Sequence, residues 1–124
     1  MPYVAVVDDE ETVRKALRRR GIPVRWHSPR PAGRRRAAAA ALRQPDCVVL
    51  DLHMAGMSGL EVLRRLQAAP QRPPVVVITA HDEPETRAQC LAAGASAYLR
   101  KPLDERLLLN AISAALGAAA QLRR

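Results

Sequence analysis

The sequence has few of the aromatic residues that nucleic-acid-binding proteins use. It contains no phenylalanine, and aromatic residues make up 2% of its 124 residues. Proteins that bind single-stranded nucleic acids stack the bases on aromatic rings. The net charge of +8 comes almost wholly from arginines scattered along the chain, which is typical of a solvated surface. Direct nucleic-acid binding by this chain is therefore not expected.

Long apolar runs and clustered cysteines are also missing. No apolar run approaches the roughly 20 residues of a membrane-spanning helix, and the start lacks the basic and then apolar pattern of a signal peptide. We therefore expect a cytoplasmic protein that does not enter a membrane. The two cysteines, Cys47 and Cys90, have no cysteine or histidine near them at metal-ligand spacing. We expect both to be buried thiols.

Strand-like and helical patterns alternate along the chain. Its length suits one domain, residues 1–124, in which residues 118–124 would be a tail or the start of a linker. Alternation of this kind is typical of a parallel sheet with helices on both faces, a doubly wound α/β fold. The predicted strands are Val4–Val7, Val24–Trp26, Cys47–Leu50, Val75–Ile78 and Ala97–Leu99.

Helices are predicted after the first, third, fourth and fifth strands. Pro84 suits the first turn of the third helix and Gly94 its end, while Asp104 is a predicted N-cap of the last helix. The predicted apolar stripe of that last helix consists of Leu107, Leu108, Ala111, Ile112, Ala115 and Leu116. The proline- and arginine-rich segment Ser28 to Gln44 predicts at most a short, exposed helix, Ala37 to Leu42.

Polar residues suited to phosphoryl chemistry stand at the ends of four predicted strands. They are Asp8 and Asp9 after the first strand, Asp51 after the third, Thr79 after the fourth and Lys101 just past the fifth. The carboxyl ends of the strands in a doubly wound sheet form one edge, where such folds bind ligands. These residues are therefore expected to converge in space.

The acids at this edge indicate a magnesium site. Three carboxylates in one crevice repel one another, so a proton or a cation must offset their charge. Oxygen ligands of this kind favour Mg²⁺, which predicts that Asp8, Asp9 and Asp51 hold this ion.

The same edge of the sheet contains a candidate nucleophile and residues that could contact a phosphoryl group or respond to it. A carboxylate beside Mg²⁺ and a lysine can attack a phosphoryl group, which indicates Asp51 as the phosphoacceptor. Lys101, one of only two lysines in the chain, would serve as a point charge. The Thr79 hydroxyl could donate to a phosphoryl oxygen, and Tyr98, next to it across the sheet, could report the change by turning its ring from solvent towards the core, so that the two form a switch.

Each of these residues also has an ordinary structural explanation. Acids after a strand favour a helix N-terminus through its dipole. Asp51 alone would be a turn residue, Thr79 a cap and Lys101 a solvated charge. Their coincidence at four strand ends is what favours a functional site.

At these residues the sequence closely resembles the response-regulator receiver domains of two-component signalling. The matching stretches are Val6–Glu10, Val48–Met54, Gly56–Gly59, Val77–Ala80, Ala93–Ala95 and Lys101–Pro102. The resemblance covers nearly the whole chain. It implies a flavodoxin-like fold, a five-stranded parallel sheet in the order 2-1-3-4-5 with helices on both faces.

The resemblance also implies roles. Asp51 would accept a phosphoryl group from a phosphohistidine of a sensor histidine kinase or of a phosphotransfer protein, and the backbone carbonyl of His53 would join the Mg²⁺ ligands. Thr79 and Tyr98 would shift on phosphorylation, and the Lys101–Pro102 bond would be cis. We expect the shift to alter a face formed by residues 84–116, which would form a homodimer or dock a partner.

Some features depart from the family pattern or leave alternatives open. Ala55 stands where the family usually has proline, and the first helix, from about Glu11 to Arg20, is short. The main rival function is a Mg-dependent aspartyl-phosphate phosphatase or phosphotransferase, but such enzymes usually carry a second acid where this chain has His53. We therefore expect a phosphoacceptor domain that is not a turnover enzyme. His53 and His81 would either tune phosphate lifetime or be exposed loop histidines.

Overall fold

The protein folds around one parallel sheet. The computed structural model describes residues 3–8, 11–27, 45–52, 59–68, 72–81 and 83–122, and for 118–122 only the helix backbone. The strands are β1 (Val4–Val7), β2 (Val24–His27), β3 (Cys47–Asp51), β4 (Val75–Thr79) and β5 (Ala97–Arg100). The helices are α1 (Thr12–Arg19), α2 (Gly59–Ala68), α3 (Pro84–Ala92) and α4 (Glu105–Leu122).

The strand order confirms the predicted fold. The sheet runs β2-β1-β3-β4-β5, and every neighbouring pair is parallel. β2 to β5 each extend one residue beyond the predicted end. Asp51 and Thr79 are therefore the last residues of their strands rather than the residues that follow them.

Two apolar cores lie on opposite faces of the sheet, because successive strand residues point to opposite sides. On one face, Val48 and Leu50 of β3 pack with Leu63 and Leu66 of α2. The other face is covered by α1 and α4, whose buried residues include Leu17 and Ile112. β1, β3 and β4 are buried along their whole length, as expected for strands covered on both faces.

Helix ends follow the local signals predicted from the sequence. The Asp104 Oδ1 atom accepts hydrogen bonds from the backbone N–H groups of Arg106, at 2.9 Å, and Leu107, at 3.3 Å, as an N-cap does. Pro84 is the first residue of α3, and Gly94 adopts a φ of +104° just after that helix. The predicted apolar stripe of α4 is wrong at Leu107, whose side chain is 57% exposed.

Both cysteines are buried, as predicted. Burial, with a smaller contribution from the neighbouring Asp46 carboxylate, raises the pKa of the Cys47 thiol to about 12. Burial also raises the pKa of Cys90. None of the described helices combines the length and apolar character needed to cross a membrane. The predicted helix Ala37 to Leu42 lies outside the described residues.

Candidate phosphoacceptor site

Four predicted site residues lie along the carboxyl edge of the sheet. Asp8 directly follows β1, Asp51 ends β3, Thr79 ends β4 and Lys101 directly follows β5. These strands are consecutive neighbours in the sheet. Asp8, Asp51 and Thr79 are nearly inaccessible, with exposures of 0%, 2% and 3%. The edge is therefore a buried polar crevice within an otherwise apolar fold.

Lys101 joins two of the acids. Its Nζ atom lies 3.1 Å from Asp51 Oδ2 and 3.4 Å from Asp8 Oδ1. The lysine side chain is 11% exposed, so these contacts are largely shielded from water. Its backbone N–H donates to the carbonyl of Thr79 at 2.7 Å, which fixes the start of the loop after β5 to the end of β4. The Lys101–Pro102 bond is cis, as the resemblance implied.

The Thr79 hydroxyl is engaged by the loop that follows β4. It donates to the carbonyl of His81 at 3.2 Å and accepts from the N–H of the same residue at 3.0 Å. These bonds form a compact turn of the kind that threonine hydroxyls make with backbone two residues on. A phosphoryl oxygen would have to compete with the His81 carbonyl for the hydroxyl proton.

Tyr98 differs from its predicted placement. Its strand neighbour is Val77, whereas the residue across from Thr79 is Arg100. The ring was expected to face solvent before phosphorylation, yet it is only 9% exposed. The Arg87 guanidinium of α3 lies 5.8 Å from the ring centroid. Tyr98 lines a cavity of about 240 Å³ whose other walls are Arg87, Leu99, Arg100, Pro102, Leu103, Asp104 and Leu107.

The described acids suit a hard cation. Asp8 and Asp51 are both buried carboxylates that share the Lys101 ammonium, so the three side chains together carry excess negative charge. Buried charge of this kind is costly unless it is compensated, and oxygen donors are those that Mg²⁺ prefers. Within the described ranges, no three His, Cys, Asp or Glu residues form a metal cluster. Asp9 and His53 lie outside those ranges, and their roles stay predictions.

One contact of the site has no signal in the sequence. The indole N–H of Trp26, on β2, donates a hydrogen bond to the backbone carbonyl of Asp8. A tryptophan on an edge strand gave no signal of this, because the contact depends on the register between β1 and β2.

Comparison with known proteins identifies the family. The model of the response regulator receiver domain matches residues 4–113. The transcriptional regulatory protein FixJ of Azorhizobium caulinodans is 32% identical over 98% of this chain and 58% of its own length. A response regulator receiver protein from Burkholderia phymatum is 41% identical, with a TM-score of 0.75 over 94% of this chain and 96% of that one.

A further solved structure is a response regulator protein from Burkholderia pseudomallei that has a phosphorylated aspartic acid, a calcium ion and citrate. It is 27% identical, with a TM-score of 0.77 over 98% of this chain and 72% of that one. The chain spans about half the length of the curated relatives that it matches, for example 49% of a response regulator MprA. With a family match over nearly its whole length, the chain belongs to the receiver domains of two-component response regulators, which are signalling domains.

Proposed function

We propose that this receiver domain accepts a phosphoryl group on Asp51 from a phosphohistidine of a sensor histidine kinase or of a phosphotransfer protein. The observation that carries the proposal is the placement of Asp51 beside both Lys101, at 3.1 Å, and the crevice that holds Asp8. A carboxylate that lies between a cation and a metal-binding acid is suited to nucleophilic attack on phosphorus. The domain would assist this transfer to itself without acting as a turnover enzyme.

In the proposed reaction, an Asp51 carboxylate oxygen forms a bond to phosphorus while the bond from phosphorus to the donor's leaving atom breaks. The bonding electron pair departs with the donor. Lys101 holds its ammonium against Asp51 and would neutralise charge on the phosphoryl oxygens. The Thr79 hydroxyl would exchange the His81 carbonyl for a phosphoryl oxygen.

We propose Asp8, Asp9, Asp51 and the backbone carbonyl of His53 as the residues that hold Mg²⁺. When bound, Mg²⁺ would neutralise the carboxylates and the phosphoryl oxygens. Two observations support this assignment: the buried, negatively charged pair Asp8 and Asp51, and the phosphorylated aspartic acid and calcium ion of the relative from Burkholderia pseudomallei.

The output face would be formed by residues 84–116. Tyr98 lies in this face under Arg87, and Leu91 and Leu107 expose 47% and 57% of their surface there. Exposed leucines beside a switch residue suit a face that forms a homodimer or docks a partner on phosphorylation. Sedimentation with and without a phosphoryl mimic such as beryllofluoride tests the homodimer, and an unchanged monomer would leave partner docking as the output.

The decisive experiment is incubation with Mg²⁺ and acetyl phosphate, followed by intact mass. We expect a gain of one phosphoryl group that disappears when Mg²⁺ is chelated. A protein that gains no mass with Mg²⁺ present, while still melting cooperatively, would contradict the proposed function.

A further inference from the structure

Trp26 connects an exposed edge of the sheet to the site. It is the single tryptophan of the chain and is 45% exposed on β2. In the parallel pairing of β1 and β2 it lies opposite Val6, two residues before Asp8. Its ring nevertheless reaches the level of the site, because the indole N–H donates to the Asp8 backbone carbonyl. A surface side chain thus contacts the backbone of a buried site residue.

The bonded carbonyl belongs to the peptide unit that joins Asp8 to Asp9. The peptide unit is planar, so a donor bonded to its carbonyl restrains the rotation of the whole unit about the Asp8 Cα–C bond. The bond therefore restrains the backbone at Asp8. Removal of the indole N–H would take a hydrogen-bond donor from the Asp8 carbonyl, beside the fully buried Asp8 side chain.

The indole is itself held in place from the other side. The Arg14 guanidinium of α1 lies 4.8 Å from the centroid of the Trp26 ring, within the range of a cation–π contact. The Trp26 ring is therefore contacted both by α1, through Arg14, and by the backbone that follows β1, at Asp8. Such a ring can act as a fixed donor rather than as a mobile surface group.

We propose that Trp26 is a positioning residue for Asp8, so that Mg²⁺ binding depends on the indole N–H and in turn alters the fluorescence of the ring. Coupling between two groups is reciprocal in free energy, which is why both effects are expected together. This inference rests on the proposed function, because it requires Asp8 to bind Mg²⁺.

The first test compares Trp26→Phe with Arg25→Gln. Phenylalanine keeps a ring for Arg14 to cover but lacks the N–H donor. Arg25 is the neighbouring β2 residue, and its guanidinium lies over the ring of Tyr3, which precedes β1, whereas Asp8 follows that strand; the distance to the ring centroid is 5.1 Å. Melting temperatures measured over a range of Mg²⁺ concentrations give the dissociation constant of each protein.

We expect Trp26→Phe to weaken Mg²⁺ binding about fivefold, the factor that one typical hydrogen bond contributes, and Arg25→Gln to leave it unchanged. A role limited to fold stability would lower the melting temperature equally at every Mg²⁺ concentration. An unchanged dissociation constant in a folded Trp26→Phe protein would overturn the proposal.

The second test uses the wild-type protein, so it remains decisive if Trp26→Phe does not fold. Its fluorescence comes from one tryptophan, and we expect it to change on Mg²⁺ addition with the same dissociation constant as the melting data. Silent fluorescence in a protein that Mg²⁺ stabilises would overturn the inference about Trp26 alone. If Mg²⁺ changes neither signal, the proposed metal site fails and this inference fails with it.

Discussion

The two edge strands of the sheet each carry an aromatic ring covered by an arginine from a neighbouring helix. On β2, Arg14 of α1 lies 4.8 Å from the centre of Trp26, and on β5, Arg87 of α3 lies 5.8 Å from the centre of Tyr98. The rings differ in burial. Trp26 is 45% exposed, whereas Tyr98 is 9% exposed.

The two arginine–aromatic pairs have different positions relative to the site, so we expect different roles for them. Trp26 donates directly to the backbone carbonyl of Asp8, so the β2 side of the sheet contacts the site. Tyr98 lies across from Val77, two residues before Thr79, and contributes to a cavity. One edge is thus suited to hold a proposed metal ligand, Asp8, and the other to respond to the proposed phosphoacceptor. We call these the β2 edge and the β5 edge.

Loss of the proposed phosphoacceptor should silence the phosphorylation response of the β5 edge. We expect Asp51→Asn to gain no mass with acetyl phosphate and Mg²⁺, because an amide lacks the nucleophilic oxygen. Asp104→Asn is the matched control, since asparagine also caps helices and Asp104 caps α4. Phosphorylation of the Asp51→Asn protein would place the acceptor at another residue.

Removal of the lysine shared by the acids should have the next largest effect. Lys101→Ala leaves two buried carboxylates without their ammonium, and breaking a buried ion pair costs about 3 kcal/mol. We expect urea unfolding to show this loss without Mg²⁺ and a partial recovery with it, since the cation offsets the same charge.

The other lysine provides the control. Lys15→Ala removes a pair with Glu11 in which both side chains are more than half exposed, so its effect on the free energy of unfolding should be below about 1 kcal/mol. If Lys101→Ala destabilises no more than Lys15→Ala, the buried pairing does not carry the energy assigned to it.

Thr79→Ala should separate the two edges. The variant loses the bonds to His81, which costs about 1 kcal/mol, but it keeps Asp51 and the acids. We expect phosphoryl uptake and the Trp26 fluorescence change to persist while amide-exchange changes around Tyr98 disappear. Ser96→Ala, which removes an exposed hydroxyl just before β5, should leave both edges responsive. Persistent exchange changes at Tyr98 in Thr79→Ala would exclude Thr79 as the connection.

The smallest expected effects come from the two covering arginines. Arg14→Gln and Arg87→Gln should each cost about 0.5–1 kcal/mol, the range of a cation–π contact near a surface. Only Arg14→Gln should also weaken Mg²⁺ binding, by about twofold, because Arg14 covers the Trp26 ring, whose N–H donates to the Asp8 carbonyl. Equal Mg²⁺ affinities in the two variants would mean that the edges do not differ in this way.

Much of the site was predictable because it depends on strand ends. Asp8, Asp51, Thr79 and Lys101 are far apart in sequence, but any parallel sheet in this order brings the ends of β1, β3, β4 and β5 together. The Asp104 cap and the Gly94 helix end were equally predictable, because both are set by residues within one turn of the helix.

The burial of individual apolar and aromatic side chains was less predictable. Leu107 fits a helical apolar period yet is exposed, and Tyr98 was expected to face solvent yet is buried. Periodicity states which residues share a helix face but not which neighbour covers that face. Tyr98 lies in the same apolar core as Cys90 of α3, and Arg87 of that helix contacts its ring, neither of which the pattern of β5 alone contains.

Local sequence patterns were enough to specify the alternation of strands and helices and the set of polar residues at the strand ends. The reason is physical: hydrophobic period and local capping act over a few residues, and parallel pairing then forces the strand ends to one edge. The bond from Trp26 to Asp8 and the position of Lys101 between Asp8 and Asp51 are visible only in the folded protein. Those contacts depend on strand register and on side-chain reach between segments distant in sequence, which no local pattern specifies.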